Sequence, residues 1–180
     1  MPHLRVVNAG IALAALTTQS LPGIAISCGL AGGLRDQSPT GTVVIPDLIQ
    51  RPDGRAVHCD PELVQTLRNS ADALRAPYIR EPLLTSGTLI RGDARHQWAE
   101  RGFTAVDMES GLIDAPRIAA VRVILDTTER ELHAAWLRPA TLILHPRAWL
   151  ELPWLAREAP RCARLAARII GNAFKPIDAH

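Results

Sequence analysis

Lysine is nearly absent from this chain: Lys175 is the only one among 20 basic residues, so the net charge of +2 rests on arginine. The arginines are interleaved with acids, as in Arg35-Asp36 and Glu129-Arg130-Glu131, and no basic block tracks a phosphate backbone, which argues against nucleic-acid binding. Cysteine is scarce too. Its three copies, at 28, 59 and 162, have no C-x-x-C spacing and no histidine pair at ligand intervals. No structural metal is therefore expected, and a reducing, cytoplasmic setting is. No run approaches the roughly 18 apolar residues of a membrane span. The apolar stretch Gly10 to Leu16 is broken by Thr17, Thr18 and Gln19 short of a processing site, so no signal peptide is expected. Also missing are G-x-G-x-x-G, the P-loop lysine and the G-x-S-x-G elbow, which disfavours dinucleotide binding, triphosphate binding and an α/β-hydrolase site.

What remains is a globular composition, 47% hydrophobic and 21% charged over 180 residues, enough for a single domain spanning 1–180. Leu4 to Val7 is a short apolar run, and Asn8 to Gln19 places Ile11, Ala12, Ala15 and Leu16 on one helical face. Gly23 to Cys28 then reads as a buried strand feeding a glycine turn at Gly29 to Gly33. Strand, helix, strand implies a parallel sheet with helical crossovers. Further strands are expected at Thr42 to Ile45, Leu83 to Ile90, Phe103 to Val106 and Ile118 to Leu125. Arg51-Pro52-Asp53-Gly54 is a turn inside a polar loop. Asp60-Pro61 is an N-cap with proline at the first helical position, opening a helix through about Leu74. A short helix capped by Asp93 runs to Glu100 and ends at Gly102. Residues 131–174 are helical, with Leu165, Ile169 and Ile170 along one face and Trp136, Trp149 and Trp154 within them.

Three segments at strand ends carry candidate chemistry, because open α/β sheets collect ligand groups at the carboxyl ends of their strands. In Ser27 to Leu34, residues without bulky side chains let a ligand approach the backbone, or simply make a tight connection. In Val106 to Ser110, a carboxylate can accept two hydrogen bonds from a vicinal diol and Met108 offers an adaptable apolar surface. The plainer reading makes Asp107 and Glu109 solvated turn residues. Asp126 closes the most apolar run in the chain, where partial desolvation would suit it to give a proton to a leaving group. Its plainer role is an N-cap on a helix around Glu129. His58 and Cys59 are adjacent and would point to opposite faces of a strand, which disfavours a thiol-imidazole pair. His96, His133 and His145 show no converging spacing.

The order Gly-Leu-Ala-Gly-Gly-Leu, Gly-Thr-Val-Val-Ile-Pro, Val-Asp-Met-Glu-Ser, Val-Arg-Val-Ile-Leu-Asp resembles the nucleoside phosphorylase superfamily over about residues 5–175. That superfamily includes purine nucleoside phosphorylases and methylthioadenosine/S-adenosylhomocysteine nucleosidases. The Asp53-Gly54 loop, the Asp-Met-Glu-Ser wording and the tryptophan- and proline-rich C-terminal part look closest to its hopanoid-associated phosphorylase branch. The resemblance implies an α/β fold with a mixed, mostly parallel central sheet flanked by helices and a helical C-terminal segment. It implies cleavage of the N-glycosidic bond of a purine nucleoside, by phosphate or by water, with no cofactor beyond inorganic phosphate as co-substrate. Ala31 and Gly32 would line base and ribose through their backbone, and Met108 would pack on the sugar. Glu109 would bind the ribose hydroxyls. Asp126 would protonate the purine, and Ser86-Gly87 would lie behind the base.

Leu30 and Leu125 stand where the family often has serine, which makes the expected pocket more apolar and agrees with a lipid-linked nucleoside such as adenosylhopane. Relative to the family, the chain starts near the third strand. Only Ser110 to Pro116 link the strand before Asp107 to the next one, whereas a parallel crossover takes a dozen or more residues, and Gly111 and Pro116 oppose helix. Either the strands are arranged differently or Glu109 and Asp126 sit apart. The competing expectation is an inactive homologue that binds a nucleoside or serves in assembly. A homo-oligomer is implied by the family, and the C-terminal tryptophans are expected in the core or at oligomer contacts ahead of a peripheral membrane surface.

Overall fold

A computed structural model describes residues 6–7, 21, 23–137 and 145–175. Apart from Val6 and Val7, the expected first strand and the helix over Asn8 to Gln19 lie outside the described residues. Two ten-residue strands, β1 (Ile24–Gly33) and β8 (Arg117–Asp126), run side by side in parallel at the centre. Around them stand β2 (Val43–Val44), β3 (Leu48–Gln50), β4 (Ala56–His58), β5 (Tyr78–Ile79), β6 (Leu83–Thr85) and β7 (Ala105–Asp107). They form one eight-stranded sheet in the order β4-β3-β6-β7-β1-β8-β2-β5. Its β1–β8, β2–β5, β3–β6 and β6–β7 pairs are parallel and the other three antiparallel, the mixed, mostly parallel sheet expected.

Every residue of β8 after Arg117 is buried, as befits a strand covered on both faces. Helix α1 (Pro61–Ala73) starts at Asp60, whose Oδ1 accepts from Leu63 N at 3.0 Å, a cap worth about 1 kcal/mol. It buries Leu63, Val64, Leu67 and Ala71. The short α3 (Pro146–Trp149) leads to the long α4 (Leu152–Ala173), which buries Cys162, Ala166 and Ile169. Ser70 Oγ donates to Ile169 O at 2.7 Å and so joins α1 to α4. Helix α2 (Asp93–Glu100) packs Trp98 and Ala99, with Phe103, onto Leu34, Leu84 and Val106.

Several local expectations need correction. The glycine turn is not a turn: β1 runs through Gly33, and Gly29, Gly32 and Gly33 are absent from the glycines with positive φ. The turn expected at Arg51 to Gly54 is present, as the tip of a hairpin in which Leu48 stands opposite His58. Strand β6 stops at Thr85 rather than Ile90. Gly92, not Asp93, occupies the N-cap of α2. No helix opens at Asp126 or Thr127; the next helical turn is a 3-10 turn at Ala134–Leu137.

The short link also has a physical answer. Strand β7 is antiparallel to β1 and therefore to β8, so the chain needs only to turn at Ser110–Leu112 and return on the far side of β1. A parallel crossover is not required there.

Candidate functional site

Arg122 is the one charged residue inside the apolar body of β8, and a buried guanidinium must find partners. It reaches across Gly29 of β1 to the carboxyl end of β7. An ideal Cβ on Gly29 would lie 2.4 Å from Arg122 Nη1, so a residue without a side chain is what opens this path. Beyond it, Arg122 Nε pairs with Asp107 Oδ2 at 2.8 Å, and Nη1 stands 3.4 Å from Glu109 Oε2. Arg122 Nη2 also donates to Ser27 Oγ at 2.6 Å and to Ser110 Oγ at 3.0 Å.

Asp107 is fully engaged rather than solvated. Its side chain has no exposure. Oδ1 accepts from Thr85 Oγ1 at 2.7 Å, and Oδ2 accepts from Ser110 N at 3.1 Å as well as from Arg122. Thr85 in turn accepts from Gly111 N at 2.8 Å, which pins the 3-10 turn onto β6. Glu109 differs: its side chain keeps 18% of its surface, and Met108 beside it is half-buried. Of the two acids in this segment, Glu109 is the one facing outward.

Asp126 belongs to a second network. The β1–β8 register jumps from Ala31↔Ile124 to Gly32↔Asp126, a bulge that leaves Leu125 unpaired. Side chains alternate along a strand, so without the bulge Asp126 would share a face with Arg122 and Ile124. The bulge re-aims it toward Gly32, where a Cβ would lie 3.1 Å from Asp126 Oδ1. The opposite oxygen, Oδ2, is held by Arg95 of α2. Arg95 is itself buried, and donates to Gly33 O at 2.7 Å and Ile90 O at 3.1 Å while lying 3.3 Å from Glu131 Oε1. Glu131 also accepts from Gly92 N at 2.7 Å, tying the loop after β8 to the start of α2.

The two carboxylates expected to act together are thus held at different points along β1, Glu109 by the Arg122 that crosses Gly29 and Asp126 beside Gly32. Ala31 is buried, and Gly32 is paired with Val106 on one side and Asp126 on the other, so its peptide groups lie inside the sheet. Two cavities of about 260 and 240 Å³ open around the β3–β4 hairpin. The first is lined by Gln50, Arg51, Thr85, Ser86, Gly87 and Trp98 among others, and the second by Arg51, Asp53, Arg55, Gly111 and Leu112 among others. Both are smaller than the roughly 300–1,000 Å³ of drug-sized ligand sites. Thr85 and Gly111, which hold Asp107 in place, line one each.

Sequence reasoning did not assign roles to Arg122, Arg95, Ser27, Thr85 or Glu131. Arg122 had a signal, since a lone arginine in an apolar strand demands a buried acid. Arg95 had none, sitting in an ordinary polar helix. His133 and His145 lie against each other with ring centroids 5.2 Å apart. Among the described residues no cluster of three His, Cys, Asp or Glu could hold a metal ion. Burial pushes the Cys59 thiol up to about 12, leaving it an inert core residue.

A family model described as the phosphorylase superfamily matches residues 6–113, more than half of the chain. A search of curated proteins returns no match. Solved structures with similar folds include an S-adenosylhomocysteine nucleosidase from Streptococcus pyogenes in complex with 5-methylthiotubericidin, at 16% identity and a TM-score of 0.63. The alignment covers 87% of this chain and 69% of that one. A 5'-methylthioadenosine/S-adenosylhomocysteine nucleosidase from Neisseria meningitidis, in complex with methylthio-immucillin-A, aligns at 16% identity with a TM-score of 0.61, covering 82% of this chain and 67% of that one. A futalosine hydrolase mutant from Helicobacter pylori aligns at 12% identity with a TM-score of 0.61, covering 92% and 76%. At these identities the likeness is one of fold.

Proposed function

Because the chain belongs to the phosphorylase superfamily, we propose that it cleaves the N-glycosidic bond of a purine nucleoside, with the ribose at Met108 and Glu109 and the base at Asp126. The observation that carries this reading is that β7, which leads into Met108 and Glu109, and β8, which ends in Asp126, flank β1, with Glu109 held by the Arg122 that crosses Gly29 and Asp126 held by Arg95 beside Gly32. Glu109 is oriented by Arg122 and keeps part of its surface, as an acceptor for ribose hydroxyls requires. Both Asp126 oxygens lie close to Gly32, and Arg95 holds Oδ2, which leaves Oδ1 as the oxygen that would face the base. A proton passed from that carboxyl to the purine ring would make the base a better leaving group as the glycosidic carbon takes on cationic character. Water or phosphate would then capture the ribosyl cation.

Two features bear on the substrate. Leu30 and Leu125, which stand where the family often has serine and belong to the apolar core at this end of the sheet, favour a nucleoside carrying an apolar or lipid-linked substituent such as adenosylhopane. The relatives in solved structures bear the names of nucleosidases and a futalosine hydrolase, which favours water over phosphate as the acceptor. The competing reading, an inert nucleoside-binding or assembly protein, draws on the capture of Asp126 by Arg95 and on cavities that bypass both carboxylates. Incubation with methylthioadenosine, adenosine, inosine and an adenosylated lipid analogue, with and without phosphate, separates the cases. Free base without phosphate is expected. Release that requires phosphate would reassign the acceptor, and binding without release from any substrate would favour the inert reading.

A further inference from the structure

Helix α4 presents two unlike surfaces. Its inner side is apolar and packed on β8 and α1. On its outer side Arg157, Arg161, Arg164 and Arg168 follow one another at intervals of four, three and four residues, which stacks them in a single row along the helix, and Lys175 lies just past the helix end. All five are exposed. The helix carries one acid, Glu158, which is buried beneath the row and lies 3.3 Å from Arg157 and 3.5 Å from Arg161. Arg164 and Arg168 face outward with no carboxylate on the helix beside them.

The chain entering α4 is apolar. Trp149, Leu150 and Leu152 keep 49%, 80% and 44% of their surface exposed within four consecutive positions. Trp154 packs against the core and Trp136 donates to Glu151 Oε2 at 2.7 Å. An aromatic and two leucines beside a row of cations match the boundary of a bilayer. There, indole and aliphatic groups settle at headgroup depth and arginines meet anionic phosphates. An acidic protein would match the row but leave the exposed leucines unexplained.

We propose that α4 and the Trp149 to Leu152 turn form a peripheral docking surface for an anionic lipid bilayer. The contact is peripheral because no helix among the described residues is long and apolar enough to cross a membrane. It stands independently of the nucleoside chemistry and is read without any substrate.

Co-sedimentation of the full chain with vesicles of phosphatidylcholine alone and of phosphatidylcholine mixed with phosphatidylglycerol tests it. Binding to the mixed vesicles, release by salt and none to pure phosphatidylcholine are expected. The Arg164→Gln/Arg168→Gln pair should lower the partition about thirtyfold, from about 1 kcal/mol per cation near an anionic surface. Leu150→Ser should weaken what survives in salt. All three positions are exposed, so unchanged melting and circular dichroism are expected and keep the comparison meaningful. Equal binding to both vesicle types, an unaltered arginine pair, or capture by RNA or polyglutamate with none by vesicles would overturn the proposal.

Discussion

Replacing Gly29 by alanine would put a methyl group where Arg122 Nη1 now passes, 2.4 Å from its ideal position. The guanidinium cannot step aside freely, because Asp107, Ser27 and Ser110 hold it in a buried slot. Gly29→Ala is therefore expected to lower the melting temperature and to disturb Glu109. Arg122→Met should be worse, since it strands the Asp107 carboxylate, at a loss of about 3–5 kcal/mol by denaturant unfolding. The Asp107→Asn/Arg122→Met double variant should lose less than the two single changes added, as partners in one network do. At the surface, Arg117 holds Asp60 down to about 2. A depressed carboxyl contributes stability above its ordinary range and loses it as pH falls toward the folded value. The stability gap between the native protein and Asp60→Asn, which keeps the cap, should then shrink between about pH 4 and pH 2. At this scale the sequence was informative about residue types but not partners. Asp107, Met108, Glu109 and Asp126 stood out from their strand-end positions. That Asp107 is a structural anchor and Glu109 the outward acid depends on Arg122 arriving from a distant strand.

Among the elements, β1 and β8 share the longest ladder in the sheet and lie inside it on both sides. Their amides should exchange most slowly in native-state hydrogen exchange, and those of β4 and β5, at the two edges, faster. Comparable protection across all eight strands would contradict that ranking. The long apolar runs, the Asp60-Pro61 start of α1 and the extent of α2 were legible because hydrophobic pattern and turn chemistry are local properties. Two things were not. Gly29 to Gly33 reads as a turn in sequence, yet its glycines serve the close approach of Arg122 and Asp126 within a continuing strand. The direction of β7 is set by pairing with β1, so the shortness of the Ser110 to Pro116 link looked like a loss when it is an antiparallel return. The bulge at Leu125 is equally invisible in the sequence, and it decides which way Asp126 faces.

For the molecule as a whole, the nucleoside phosphorylase fold survives in a chain that spans 67% to 76% of the length of the solved structures compared here. Two arginine networks hold Glu109 and Asp126, after β7 and at the end of β8, on either flank of β1. Whether that arrangement performs chemistry turns on Asp126, which Arg95 holds and Gly32 faces. The most direct measurement is chromatographic detection of free base from the adenine nucleoside panel, run in parallel on the native protein and on Asp126→Asn, with melting curves for both. Base release by the native protein, lost at least a hundredfold in a variant that still folds, is the expected result, in keeping with the weight of a positioned general acid. Full turnover by Asp126→Asn, or no release by a folded native protein, would contradict the assignment of Asp126 as the proton donor in an N-glycosidic cleavage.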